Sequence, residues 1–238
     1  SLETTASNLV YDDLHVAGNT TLTSSGNITQ GAGVEIITGT LTTSSVTGTT
    51  LTDVDNAVTT LVASNSGTGV ISYADKDNLD TGAINQAGTG KVTISAGGVL
   101  NITDTIAAAA NDVDLNSGGA LAIDQSITAA NIDLTAGTAI TQTAEILTGT
   151  LTTSSVTGTT LEDGDNAVTT LIASNSGAGA ISYVDSDALI VSSITQLSGQ
   201  DVSLVAGSLN LPVINIGGGT LSLETTASNL VYDDLHVA

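Results

Sequence analysis

Eight aspartates stand in four D-x-D steps: Asp53-Val54-Asp55, Asp75-Lys76-Asp77, Asp163-Gly164-Asp165 and Asp185-Ser186-Asp187. Within each pair of steps the spacing is 22 residues. If the chain winds in coils of that length, Asp53 lies below Asp75 and Asp55 below Asp77. Asp163 and Asp165 then lie below Asp185 and Asp187. Like charges about 4.8 Å apart repel by roughly 1 kcal/mol per pair even in water. A cation would relieve that repulsion. An all-oxygen, turn-borne, acidic cluster is what Ca2+ prefers, so these eight residues are the candidate metal ligands and Ca2+ the candidate cofactor. The spacing matches neither an EF-hand loop nor the nonapeptide Ca2+ repeat. The competing expectation is a solvated acidic corner.

Other chemistry is thinly supplied. The histidines are His15 and its repeat copy His236, the cations are Lys76 and Lys91, and Cys and Arg are absent. Asp12, Asp13 and His15 among many serines permit a Ser/His/Asp reading without specifying one. An exposed strand histidine is the simpler expectation, and no enzyme is expected. Tyr11, Tyr73, Tyr183 and Tyr232 could stack on a polysaccharide, or could pack their rings at corners. No receptor is written in these residues.

The elements that position these groups are repeats. Ser1–Ala17, SLETTASNLVYDDLHVA, recurs unchanged as Ser222–Ala238, a period of 221 residues. Inside it, Glu35–Leu79 matches Glu145–Leu189 at an offset of 110, with 9 of 45 positions differing. An "I-polar-Q" step occurs four times, at Ile28-Thr29-Gln30, Ile84-Asn85-Gln86, Ile140-Thr141-Gln142 and Ile194-Thr195-Gln196. Glycine- and asparagine-rich points such as Gly97-Gly98 and Gly118-Gly119 read as turns. Val92-Thr93-Ile94, Val113-Asp114-Leu115 and Ile132-Asp133-Leu134 alternate apolar and polar residues, the mark of a strand with one buried face. The run Ala107–Ala110 is too short to nucleate a helix and reads as strand or tight corner.

Composition agrees. The 238 residues contain no Phe, Trp or Met, and aromatic residues make up 2%. A narrow interior built of Val, Ile, Leu and Ala has little room for large rings. The expected fold is all-β: one continuous right-handed parallel β-helix (β-solenoid) over 1–238, with about ten coils of ~22 residues per period. At 4.8 Å per coil the period spans roughly 48 Å. The formal charge is −22, which excludes ordinary nucleic-acid binding. No apolar run approaches the ~20 residues of a membrane helix. The expected partner is the protein itself, through end-to-end array or polymer formation and salt- or Ca2+-dependent lateral bundling.

The string Ala130-Asn131-Ile132-Asp133-Leu134-Thr135-Ala136-Gly137-Thr138-Ala139-Ile140-Thr141-Gln142, continued by Leu147-Thr148-Gly149-Thr150-Leu151 and Ser155-Val156-Thr157-Gly158-Thr159-Thr160-Leu161, resembles the repeat region of filamentous-haemagglutinin-type exoproteins of Gram-negative bacteria. The resemblance implies a right-handed β-helical rod, secreted to an extracellular or cell-surface location, and carries no catalytic residues. It leaves three functions open: a structural fibre, the stalk of an adhesin with its receptor-binding tip elsewhere, and a ~221-residue subunit that polymerises end to end.

Overall fold

A computed structural model describes residues 2–4, 8–11, 13–227 and 229–237. Among these, 27 strands and no helix are found. The strands are joined by parallel pairing from each coil to the next, so the chain is a parallel β-solenoid of about ten coils. Alternation of side chains explains the strands. Val92, Ile94 and Ala96 point inward while Thr93 and Ser95 point outward, and Val113–Ser117 repeats the pattern one coil on. In both strands each inward Leu, Ile or Val is wholly buried. Burial of such a side chain contributes about 1.5–3 kcal/mol, so the apolar ladders hold the stack together.

Three faces follow one another along the chain. Face A carries the ladder Leu2, Leu22, Thr43, Ala63, Ile84, Ile106, Ile127 and Ile146. Face B carries Leu9, Ile28, Thr49, Ile71, Val92, Val113, Ile132, Leu151 and Leu171. Face C carries Leu79, Leu100, Leu121, Ile140, Thr159, Ile181, Val202 and Leu221. Coil length is elastic: 22 residues separate Thr49 from Ile71, 21 separate Val92 from Val113, and 19 separate Val113 from Ile132. The slack is taken up at corners. At one of them Gly97, Gly118 and Gly137 stack so closely that a Cβ on Gly118 would lie 2.1 Å from the Gly97 carbonyl oxygen. The alanine run is both things expected of it. Ile106–Ala108 is a strand, and the chain then turns, with the Asn111 N–H donating to the Ala108 carbonyl at 2.7 Å.

The sequence repeat and the coil are out of step. Thr49 and Thr159 are equivalent in the half-repeats, yet Thr49 belongs to face B and Thr159 to face C. Five coils lead from Thr49 along face B to Leu151, and Thr159 is one face further. Each half-repeat therefore advances about 5⅓ coils, and the 221-residue period about 10⅔, or roughly 51 Å. The nine substitutions between the half-repeats fall at positions 37, 52, 54, 62, 68, 70, 74, 76 and 78. None of these is buried in either copy. The shared interior, not the surface, defines the repeat.

Candidate functional site

The D-x-D steps mark a polar network that threads the interior. Leu51 ends a strand paired with Tyr73. Residues 52–55 then leave the coil as a loop, and the chain re-enters at Asn56, which is fully buried. A buried amide must be satisfied inside the protein, and Asn56 is held across three coils. Its Oδ1 accepts from Gln30 Nε2 at 2.6 Å and from the Ile36 N–H at 2.8 Å. Its Nδ2 donates to Gln30 Oε1 at 3.2 Å and to the Ala74 carbonyl at 3.0 Å. One coil further on, Asp75 is also buried. Its Oδ2 accepts from the Val58 N–H and the Tyr73 O–H, both at 2.8 Å, and its Oδ1 from the Asp77 N–H at 2.9 Å.

The second half-repeat rebuilds the network one face on. Asn166 exchanges hydrogen bonds with Gln142 at 2.5 and 3.2 Å and accepts from the Ile146 N–H at 2.8 Å. Asp185 accepts from the Val168 N–H at 3.1 Å, the Tyr183 O–H at 2.8 Å and the Asp187 N–H at 2.7 Å. Burial pushes the Asp75 carboxyl above its ordinary value, against the lowering effect of its three donors. Burial, with Asp185 beside it, drives the Tyr183 phenol strongly upward. These tyrosines are interior hydrogen-bond donors, only 1% exposed. They neither line a corner nor offer a stacking surface.

The structure thus separates the eight aspartates. The Lys76 N–H donates to the Asn56 carbonyl at 2.9 Å, which places Asp75 beside Asn56 and not above Asp53. The 22-residue translation fails because the loop at 52–55 spends four residues outside the coil. Asp75 and Asp185 point inward, and Asp55, Asp77, Asp165 and Asp187 are exposed. Asp53 and Asp163 are partly covered, their Oδ1 atoms accepting from the Asp55 and Asp165 N–H groups at 3.0 and 2.9 Å. Asp163 and Asp165 line an open recess with Glu145. Among the described residues no group of three or more His, Asp or Glu side chains is placed to hold a metal ion. Asn56, Asn166 and the paired glutamines escaped the sequence reading. The available signal was the "I-polar-Q" step, together with Asp-Asn-Ala-Val, retained in both half-repeats.

A second polar cluster turns the corner between long strands. Ser45 Oγ lies 3.1 Å from Thr49 Oγ1, and Ser45 donates to Asn65 Oδ1 at 3.3 Å. Asn65 Nδ2 and Gln86 Nε2 both donate to the Gly69 carbonyl at 2.9 Å. Asn175, Gln196 and Gly179 repeat this arrangement. Gly69 has φ +118°, and a Cβ there would meet the Thr47 carbonyl oxygen at 2.1 Å. Only glycine fits.

The remaining candidates are dispersed. His15 Nε2 is 3.0 Å from Glu35 Oε1 and half exposed, with no serine in the pair. Asp12 lies outside the described residues. Lys91 Nζ is 2.5 Å from Asp114 Oδ2, beside Asp112 and Asp133, and their field raises its pKa chiefly through the Asp114 bond. Asn111 Nδ2 donates to the Gly88 carbonyl at 2.9 Å and Asn131 Nδ2 to Asp112 Oδ1 at 2.8 Å. No family model, curated protein or solved structure matches the chain. The resemblance to haemagglutinin-type repeats therefore rests on the quoted motifs.

Proposed function

We propose that this chain is a structural rod segment of a long repetitive secreted protein that forms an extracellular or cell-surface fibre. One observation carries the reading: buried ladders and interior polar networks recur along the stack, and the matched segments 35–79 and 145–189 differ only outside the core. Such a pattern maintains a shape, because each coil is stabilised by its nearest neighbours. The rod carries dense charge. Leaving out the repeated Glu224, Asp233 and Asp234, 21 acids face two lysines in each period, spread over roughly 51 Å. Neighbouring charges fall within a Debye length at physiological salt. Rods should stay dispersed at low salt and associate laterally when Ca2+ or salt is added, read by light scattering. Electron micrographs of the native assembly should show filaments one solenoid wide. A compact particle would sink the proposal.

A further inference from the structure

The loops at 52–55 and 162–165 have the same geometry and differ in one residue that matters chemically. In each, the first aspartate is partly covered and the two residues after it are exposed. The Asp55 and Asp165 N–H groups donate to the Oδ1 atoms of Asp53 and Asp163 at 3.0 and 2.9 Å. The Asn56 and Asn166 N–H groups donate to the Asp53 and Asp163 carbonyls, both at 3.3 Å. Between the two aspartates stands Val54 in the first loop and Gly164 in the second. A β-branched side chain is stiff and crowds the amide of its own residue. At Gly164 there is no such obstacle, and a Cβ built there would meet nothing within 4 Å. The chain contains one Asp-Gly step, at 163–164, and no Asn-Gly step.

We infer that Asp163 is a modification site, where aspartate isomerises spontaneously through a cyclic imide formed with Gly164. The nucleophile is the Gly164 backbone nitrogen, and the electrophile is Cγ of the Asp163 carboxyl in its protonated form. The N–Cγ bond forms and the Cγ–OH bond breaks, the hydroxyl leaving as water with the amide proton. Water then adds to one of the two imide carbonyls. Addition at Cγ breaks the new bond and restores aspartate. Addition at the former main-chain carbonyl breaks the original peptide bond and leaves isoaspartate, whose main chain runs through Cβ. One water is released and one consumed, and nothing is oxidised or reduced. The hydrogen bond from Asp165 to Asp163 Oδ1 closes a ring that contains the Gly164 nitrogen, so the carboxyl is folded back over its attacker. Glycine gives the backbone the freedom to close the imide. Residues 162–165 lie between the strands Thr159–Leu161 and Ala167–Asn175, so no ladder has to break. Asp163 also lines the open recess beside Glu145 and Asp165, where water reaches it. Asp114 and Asp133, in contrast, are held in paired strands. In the product, the Asp163 carbonyl that accepts from Asn166 becomes a free carboxylate, and the loop gains one main-chain atom. This chemistry belongs to the loop and is independent of any assembly.

The first loop is a control carried in the same molecule. The full chain is aged, folded, at mildly acidic pH and physiological temperature, and its peptides are separated by chromatography and mass spectrometry. The peptide holding Asp163 should split into two species of equal mass, with a transient third lighter by one water. The second species should accept a methyl group from an isoaspartyl-specific methyltransferase. The peptide holding Asp53 should stay single. Gly164→Val copies the first loop, so the fold should keep its circular dichroism, and isoaspartate at 163 should be abolished. Val54→Gly replaces a side chain that is 69% exposed and should bring isoaspartate at 53 up to the level seen at 163. Equal isoaspartate at 53 and 163 in the native chain would overturn the inference. So would its persistence at 163 in Gly164→Val. A urea-unfolded sample supplies the last comparison: isoaspartate at 163 there, with none in the folded chain, would show that the loop protects the site and would also overturn the inference.

Discussion

The coils that hold Gln30, Asn56 and Asp75 and the coils between Val92 and Ala136 solve one problem in two ways. In the second region the interior is Val, Ile, Leu and Ala, and Ser117 is the one buried polar side chain among the described residues. Corners there are tight, and face B shortens from 21 to 19 residues per coil. In the first region, buried amides and a carboxylate bridge successive coils, and the chain leaves the stack in a loop between Asp53 and Asp55. Aliphatic ladders supply most of the stability but tolerate sliding, since one Ile stacks on another as well as on the next. Hydrogen bonds between particular atoms do not slide. The polar network therefore sets where a loop departs and where the chain re-enters.

The largest effect should come from Asn56→Ala. It removes hydrogen bonds to Gln30, the Ile36 N–H and the Ala74 carbonyl at once. Unsatisfied buried groups cost about 1–3 kcal/mol each, so urea denaturation should show a loss of about 4 kcal/mol. Hydrogen exchange should rise in all three bridged coils. Leu115→Ala, in the ladder between Ile94 and Leu134, should cost about 3 kcal/mol through lost burial and a cavity. Its exchange effect should stay within adjoining coils. Equal spread of exchange for both variants would erase the distinction between the regions.

Asp75→Asn probes the network more gently through pH. The folded pKa of Asp75 is raised from 3.8 by burial, so the fold favours its protonated form. That contribution is fully present below about 3.8 and is lost as pH rises through the raised pKa. Thermal melts of the native chain should rise on acidification through this window, and the Asn variant should show a shallower dependence. An unchanged slope would remove Asp75 as a contributor. The smallest effect concerns Thr43 and Thr153, equivalent positions whose buried hydroxyls have no hydrogen-bond partner. Thr43→Val should stabilise by about 1 kcal/mol, seen as a raised urea midpoint. A lowered midpoint would show that the hydroxyl is satisfied.

Much of the architecture is legible in the residues. Strict alternation in Val92–Ala96 and Val113–Ser117 dictates strands with one buried face, and the absence of Phe and Trp dictates a thin interior. The site was legible only in part. Spacing located Asp75 and Asp185 correctly within a repeat but could not show which neighbours they meet. A constant 22-residue coil places Asp53 beneath Asp75, whereas a loop of four residues hands that position to Asn56. Translation along sequence becomes translation along the rod only where no residue leaves the coil. The tyrosines were misleading for a related reason. Tyr73 stands at an inward strand position, and its ring is admitted because Asp75, two residues on, accepts a hydrogen bond from the tyrosine hydroxyl.

The mismatch between half-repeat and coil works as a vernier. The acidic loop at 52–55 occupies the corner between faces B and C, and its counterpart at 162–165 the corner between C and A. In a continued array, a line along one corner meets the same loop again only after three half-repeats, about 16 coils or roughly 77 Å. In such an array the loops would trace a helix around the rod instead of a stripe. Two such rods side by side could not bring like loops together along their whole length. Their repulsion would be intermittent, and so would any cation bridging, favouring sliding in steps of roughly 77 Å over locking at arbitrary offsets.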